Sequence, residues 1–330
     1  IILEGSLGYA TSDIDYGYDE DWTYVGFHPF EYSSTDRYER ERETTTLDLR
    51  LLSGDSGRLF NDTTHWVVGV YGLTQQVDLT RTYFGPFESR FEIDRLAVYG
   101  ELTSDLGERA RLTVGLRGER HESSYIDSEA VSFEPEDDLW GGRLILEWDL
   151  TRTTMTYVSA TRGYKAGGFN ASNSLAEDLR EFDPETLWNY ELGLKGRWFE
   201  ERLTGRFSLF TMSRDDVQIG TSFVQGRPDG SSEFIQLTSN AAEGNNRGME
   251  MELVWAVTDT LQLFGHLGLL DTEFRDFINS AGEDLDGEEQ AHAPRYQFFI
   301  GAEYRSALGF YARLEVEGKD EFYFSDSRRF

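Results

Sequence analysis

The chain has 330 residues, a formal net charge of −30 and no cysteine. The missing cysteines exclude a disulfide framework, a cysteine-based metal site and a thiol nucleophile. The acidity disfavours nucleic-acid binding, and no apolar run approaches the ~18–20 residues that a membrane helix needs.

Alternation of polar and apolar residues runs along most of the chain and predicts β-strands. In 110–119, Leu112, Val114 and Leu116 alternate with charged, small or hydroxyl side chains. In 187–198 the aromatic residues Trp188 and Trp198 stand near the two ends of such an apolar series. About thirteen strands are predicted, at 1–12, 39–52, 62–77, 90–103, 109–122, 138–149, 153–164, 187–199, 202–217, 233–257, 260–273, 293–304 and 309–322.

The predicted connections are short at one end of the strands and long at the other. Short turns are predicted at 53–57, 104–107, 149–152, 200–201, 258–260 and 306–309. Long connections are predicted at 13–38, 78–90, 123–137, 165–186, 218–232 and 274–292. This asymmetry is typical of bacterial outer-membrane β-barrels. A soluble antiparallel sheet has the same period of two. The charged polar faces and the aromatic ends of the apolar faces favour a barrel.

The predicted fold is therefore all-β, a transmembrane antiparallel up-and-down β-barrel. Thirteen is an odd number, whereas bacterial single-chain barrels have an even number of strands. An unclosed sheet would expose backbone groups to lipid. We therefore expect residues 1–330 to form one partial barrel domain. The start at Ile1 shows no secretory signal peptide, so we also expect the chain to begin inside a longer protein.

Four ordered motifs resemble those of one family. Residues 160–170 read ATRGYKAGGFN and residues 182–195 read FDPETLWNYELGLK. Residues 209–219 read LFTMSRDDVQI and residues 240–250 read NAAEGNNRGME. Their sequences and spacing resemble TonB-dependent outer-membrane receptors of the iron-complex type. The resemblance implies a segment of a barrel of about 22 strands. The plug domain, the TonB box and the final strands are not recognisable in this sequence.

The resemblance also implies a function in the bacterial outer membrane. It indicates an importer of a scarce solute, most often a ferric siderophore, energised by the TonB–ExbB–ExbD complex through the plug. Outer-membrane lipid and lipopolysaccharide are further expected partners. The alternative, from a different class, is a passive porin, because the strands alone suit either protein. A surface adhesin barrel is a third hypothesis, and it would need a passenger domain.

The first motif supplies candidate ligand contacts. Arg162, Tyr164, Lys165, Phe169 and Asn170 place cationic, aromatic and amide groups near the long-loop end. Such groups suit an anionic, aromatic ligand. The competing interpretation is a structural fold-back that packs against the plug or the barrel wall. It is favoured because a segment shared by receptors for different ligands is a poor selector.

Metal and catalytic sites have little support in the sequence. Asp13, Asp15 and Asp19 alternate as oxygen ligands do, which makes them weak calcium candidates, but their spacing is not that of an EF-hand. Acidic loops could also attract cations or simply be solvated. The five histidines lack metal-ligand spacing, and no nucleophile elbow is present. We expect neither an enzyme nor a cofactor.

Overall fold

The structure, a computed structural model, describes residues 1–19, 24, 35–83, 85–172, 175–226, 232–278 and 283–325. Its strands are β1 Ile2–Asp19, β2 Thr35–Leu52, β3 Thr64–Thr82, β4 Pro86–Asp105, β5 Ala110–Asp127, β6 Ser132–Phe133, β7 Glu136–Asp149, β8 Thr154–Lys165, β9 Gly168–Phe169, β10 Glu181–Phe182, β11 Glu185–Trp198, β12 Leu203–Gly226, β13 Ser232–Ala256, β14 Leu261–Arg275, β15 Tyr296–Arg305 and β16 Tyr311–Lys319.

Thirteen long strands form one antiparallel sheet in chain order, from β1 to β16. The two-residue strand β6 pairs with β5, and β9 pairs with β10 in a separate small hairpin. Within the described residues the one helical element is a 3-10 turn at Glu177–Leu179. No helix in this part of the chain is long and apolar enough to cross a membrane. The predicted all-β antiparallel fold is confirmed, and each predicted strand overlaps one of the thirteen.

The two faces of the sheet differ in chemistry. On β2, Leu47, Leu49 and Leu51 point to one side and are about 40% exposed, while Asp48 and Arg50 point to the other. Partners in antiparallel register point to the same side, so the alternation continues from strand to strand. We call the side that carries Leu49 the apolar face and the opposite side the polar face.

Most of the short connections are tight, and two of them place runs of three non-glycine residues in the left-handed region. Phe199, Glu200 and Glu201 have φ of 54°, 58° and 66°, and residues 60–62 repeat this conformation. Non-glycine residues rarely adopt it, and it costs roughly 1 kcal/mol or more per residue. The turns between β11 and β12 and between β2 and β3 are therefore strained at the short-turn end.

The strands extend further towards the long-loop end than predicted. β1 continues to Asp19 and β2 begins at Thr35, inside the predicted connection 13–38. β12 continues to Gly226, inside the predicted connection 218–232. The alternation of polar and apolar residues that predicts a strand requires one apolar face, so it is lost where both faces of the strand are polar.

The buried apolar residues gather at the long-loop end. Val217 and Ile219 of β12 pack with Phe274, Phe277 and Leu285 from the end of β14 and the connection after it. These side chains hold the connection between β14 and β15 against the sheet. The rest of the sheet has no thick core, because its apolar face is exposed.

Candidate functional site

The segment between β8 and β11 folds back on itself at the long-loop end. β9 pairs with β10, and this hairpin carries the 3-10 turn at its tip. A Cβ added at Gly168 would lie 2.7 Å from the ring of Phe182, so the ring would have to move. Gly167 is more firmly confined, because the Phe182 backbone carbonyl oxygen would lie 2.5 Å from an added Cβ. The glycines of the first motif therefore let two backbones approach closely.

Side-chain amides fasten this hairpin to the neighbouring strands. The Asn170 Nδ2 group donates to the carbonyl oxygens of Leu179 and Thr238, each at 2.8 Å. Its Oδ1 accepts from the Thr238 N–H at 2.8 Å. Asn170 thus joins the hairpin to β13 through two hydrogen bonds with Thr238, and its third bond, to Leu179, lies within the hairpin.

Two further amides hold the other end of the hairpin. Asn240 donates to the carbonyl oxygens of Asp183 and Asp216 and accepts from the Asp183 N–H at 2.7 Å. Gln218 donates to the carbonyl oxygens of Ala166 and Asp183. We call Asn170, Gln218 and Asn240 the amide clamp. Together with their backbone partners, these three side chains link all four sequence motifs in one network.

A buried ion pair supports the clamp. Glu185 is 6% exposed, and its carboxylate accepts from Arg214 at 2.7 Å and from the Gln218 N–H at 2.9 Å. Close by, burial raises the pKa of Asp216, with the carboxylates of Asp183 and Asp215 adding to the effect. Asp216 also has a φ of 54°, where a non-glycine residue is strained.

An aromatic cluster surrounds Phe169. Its ring centroid lies 4.9 Å from that of Phe133, 5.1 Å from Tyr125 and 5.6 Å from Phe91. Burial, followed by a hydrogen bond to Asp127, raises the pKa of Tyr125 to about 12. This phenol therefore stays neutral at physiological pH. The hairpin thereby also packs against β4 and β5.

A second aromatic cluster lies on the polar face of β1–β3, at the same end. The rings of Tyr16 and Tyr38 stack with centroids 5.0 Å apart, and Tyr18 meets Tyr16 edge-on at 5.6 Å. The Arg81 guanidinium lies 5.2 Å from the Tyr38 centroid and pairs with Asp36 at 2.6 Å. We call these five residues the tyrosine–arginine cluster.

Electrostatics fix the charge of this second cluster. Asp36 is only 3% exposed. The hydrogen bond from Arg81 lowers the pKa of the Asp36 carboxyl below its usual range, and a hydrogen bond from Tyr38 lowers this pKa by a smaller amount. The cluster therefore offers a held guanidinium beside stacked phenol rings. Sequence reasoning missed it because the predicted connection covered 13–38. The spacing of Tyr16 and Tyr18, two residues apart, is the sequence feature that could have indicated a strand with both rings on one face.

The five candidate positions of the first motif separate in the structure. Phe169 and Asn170 belong to the hairpin, and the Tyr164 hydroxyl lies within 3.2 Å of Arg117 and Glu119. Lys165 is exposed at the end of β8. Arg162 stacks on Trp140, which is an exposed residue of the apolar face. The contacts of Phe169 and Asn170 are those expected of a fold-back, and ligand contact by the five stays a prediction.

The weak calcium candidates lie on a strand. Asp13, Asp15 and Asp19 are part of β1, and Asp15 pairs with Arg37 at 2.6 Å. The hydrogen bond from Arg37 lowers the pKa of Asp15. Among the residues that the structure describes, no group of three or more His, Asp or Glu is arranged to hold a metal. Calcium binding at these positions stays a prediction without geometric support.

The polar face below these clusters is a network of ion pairs and hydrogen bonds. Arg143 pairs with Glu101, and Arg117 pairs with Glu119 at 2.5 Å and lies over the ring of Tyr71. A polar wall of this kind suits a water-filled or plugged lumen, whereas an exposed apolar face suits lipid.

Comparison with known proteins agrees with this architecture. The pesticin receptor of Yersinia pestis is 27% identical over 169 residues, which are 49% of this chain and 24% of that protein. The ferric-pyoverdine 358 receptor of Pseudomonas putida is 30% identical over 141 residues, which are 43% of this chain and 15% of that protein. The chain thus spans a quarter or less of the length of these curated relatives.

Solved structures share the fold. The ferric yersiniabactin uptake receptor from Yersinia pestis superposes with a TM-score of 0.70 at 22% identity, covering 89% of this chain and 45% of that one. A siderophore receptor from Acinetobacter baumannii superposes with a TM-score of 0.68 at 15% identity, covering 97% of this chain and 52% of that one.

The family model for the TonB dependent receptor-like β-barrel matches residues 3–330, nearly the whole chain. This match agrees with the antiparallel sheet, its exposed apolar face and its polar, charged opposite face. In outer-membrane barrels the exposed apolar face is the one that meets lipid. The chain belongs to the TonB-dependent receptor-like β-barrel family.

Proposed function

We propose that the chain is the middle and later part of the barrel of an outer-membrane receptor that imports a ferric siderophore or a similar iron complex. Import is energised by TonB, ExbB and ExbD, which act on the plug domain of the full-length receptor. The chain performs no chemistry on the solute. Its part is to bind the solute at the long-loop end and to form the wall of the path.

The tyrosine–arginine cluster carries this proposal. Its stacked rings Tyr16 and Tyr38 and the guanidinium of Arg81 lie on the polar face at the end where solute arrives. Aromatic faces stack on flat, electron-rich rings, and a guanidinium that its carboxylate partner holds in place adds a planar cation to the stack. Catecholate and hydroxyphenyl groups of ferric siderophores have this chemistry.

The relatives support the same solute class. Curated and solved relatives are named as ferric-pyoverdine and ferric yersiniabactin receptors. The five candidate positions of the first motif keep a place in the proposal. Phe169 and Asn170 would shape the wall beside the solute through the hairpin, and Tyr164 and Lys165 would do so from the end of β8. Arg162 would belong to the lipid-facing surface.

The test is uptake of radioactive iron, delivered as ferric siderophores, by iron-starved cells that express the full-length receptor. Cells with TonB should accumulate iron, and cells without TonB should not. Equal uptake in both strains would support the passive porin instead and would refute energised import.

Two tyrosines of β1 locate the solute when binding of the same radioactive ferric siderophores to these cells is measured. Tyr16→Ala should weaken solute binding about tenfold, the loss expected for one aromatic contact. Tyr9→Ala is the matched control, because Tyr9 lies on the apolar face of the same strand and is 66% exposed. Equal binding by the two variants would remove the tyrosine–arginine cluster from the solute site.

A further inference from the structure

Beyond the apolar band, the first four strands carry opposite charges on their two sides. The segments concerned are 11–19 of β1, 35–45 of β2, 74–82 of β3 and 86–94 of β4. On the side continuous with the apolar face they present ten carboxylates and two arginines. On the polar face they present one carboxylate, Asp36, and three arginines, Arg40, Arg42 and Arg81. In a chain with a net charge of −30, this part of the polar face is cationic.

Two of these three arginines have no acidic partner. Arg81 pairs with Asp36 at 2.6 Å. Across the described ranges of the chain, no carboxylate lies within ion-pair distance of Arg40 or Arg42. The many carboxylates of β1 and β2 cannot reach them, because alternate residues of a strand point to opposite sides. The positive charges of Arg40 and Arg42 are therefore unmatched on the polar face.

The side chains beside this arginine pair are mostly apolar. In the register, Arg40 stands between Ile14 of β1 and Leu79 of β3, and Val77 of β3 lies opposite Arg42. These neighbours offer no side-chain oxygen to the guanidinium groups, and they partly exclude water. Electrostatic attraction is stronger where water is partly excluded. The surroundings therefore favour an anion that comes from outside the sheet.

The arginine pair continues the tyrosine–arginine cluster along β2. Tyr38, Arg40 and Arg42 follow one another on the polar face, with about 7 Å between successive positions. Tyr38 is the residue that stacks on Tyr16. A solute whose ring lies on the stacked tyrosines can thus place anionic oxygens at both guanidinium groups. Guanidinium groups bind such oxygens with paired, charge-assisted hydrogen bonds.

We propose that Arg40 and Arg42 select the ferric complex by its negative charge, and that the imported solute is an anionic chelate of the catecholate type. This inference rests on the proposed function and narrows its solute class. Three doubly ionised catecholates leave a ferric complex negatively charged, whereas three hydroxamates leave it neutral. A neutral chelate would cover both guanidinium groups without matching their charge, which is unfavourable.

The test compares two chelators built on one triamine scaffold, a tris-catechol and a tris-hydroxamate, each loaded with radioactive iron. Binding is measured on cells that express the full-length receptor and lack TonB, so that uptake does not contribute. The double variant Arg40→Gln/Arg42→Gln should bind the ferric tris-catecholate about a hundredfold more weakly, as expected for two charge-assisted contacts of about tenfold each. Its binding of the ferric tris-hydroxamate should change by less than about twofold.

Two further variants separate charge from other effects. Arg37→Gln is the matched control, because Arg37 lies on β2 with its guanidinium on the opposite side, paired with Asp15 and Glu39. It should bind both chelates like the wild type. Arg40→Lys/Arg42→Lys keeps both charges and should retain most of the preference for the ferric tris-catecholate. It also replaces the glutamine variant if that variant does not assemble in the membrane.

Three outcomes would overturn the inference. Equal weakening of both chelates in the glutamine variant would show that the arginine pair holds the wall or the plug rather than the charge of the solute. Unchanged binding of the ferric tris-catecholate would remove the pair from the solute site. Either result would leave energised iron import intact. Binding of neither chelate by the wild type would instead refute the iron-complex class on which the inference rests.

Discussion

Replacing Asn170 by alanine tests whether the amide clamp fixes the hairpin. The change removes three hydrogen bonds, each 2.8 Å long, and leaves the Thr238 N–H and two carbonyl groups without these partners. At about 0.5–1.5 kcal/mol net for each of three bonds, a value that already includes exchange with water, the hairpin should lose about 2–4 kcal/mol of local stability.

Hydrogen exchange of the reconstituted full-length receptor measures this loss directly. A loss of 2–4 kcal/mol corresponds to about thirty- to several-hundredfold faster exchange of the clamped amides when opening is in rapid equilibrium. The acceleration should appear in peptides covering 166–184 and the Thr238 region, and not in the membrane band of β11.

Asn189→Ala is the matched control for Asn170→Ala. Asn189 lies on the adjoining strand β11, and its Oδ1 is buried without a hydrogen-bond partner in the described structure. Its removal should leave exchange of the hairpin unchanged. Equal exchange of the hairpin in the wild type and in Asn170→Ala would refute the clamp as the source of its order.

Two further predictions concern the clusters at the long-loop end. Gly168→Ala should destabilise the hairpin by about 1–3 kcal/mol by overpacking against Phe182. Gly220→Ala should have a small effect because an added Cβ there meets nothing within 4 Å. Hydrogen exchange distinguishes the two variants, and equal effects would contradict the close approach. Because Arg81 lowers the pKa of Asp36 below 3.8, their pairing should stabilise the fold above pH 3.8 and be lost as the pH falls through the lowered pKa. The difference in thermal midpoint between the wild type and Asp36→Asn should therefore close on acidification, and a widening gap would be inconsistent with this sign.

The membrane-spanning parts of the strands could be predicted from the sequence, because alternate residues there meet lipid. In β5 the series Leu112, Val114 and Leu116 is enough to fix both the strand and its apolar face. Beyond the lipid both faces are polar. The outer half of β1, which carries Tyr16 and Tyr18, was therefore predicted as part of a loop.

The site was harder to predict because its partners are distant in sequence. Asn170 bonds to Thr238, 68 residues away. Only the register of the strands between them brings these residues together, and a single sequence does not determine that register. The position of Arg162 could have been predicted from the sequence. Counting alternate positions from Val158 places its side chain on the apolar face rather than beside a solute.

The amide clamp determines under which solution conditions the hairpin between β8 and β11 keeps its structure. Its side chains are uncharged and bond mainly to backbone carbonyl and N–H groups. Such contacts do not titrate, and dissolved salt screens them far less than it screens surface ion pairs. An outer-surface structure meets whatever medium surrounds the cell. A hairpin held by amides therefore keeps its geometry through changes in pH and salt concentration that would loosen the charged pairs beside it.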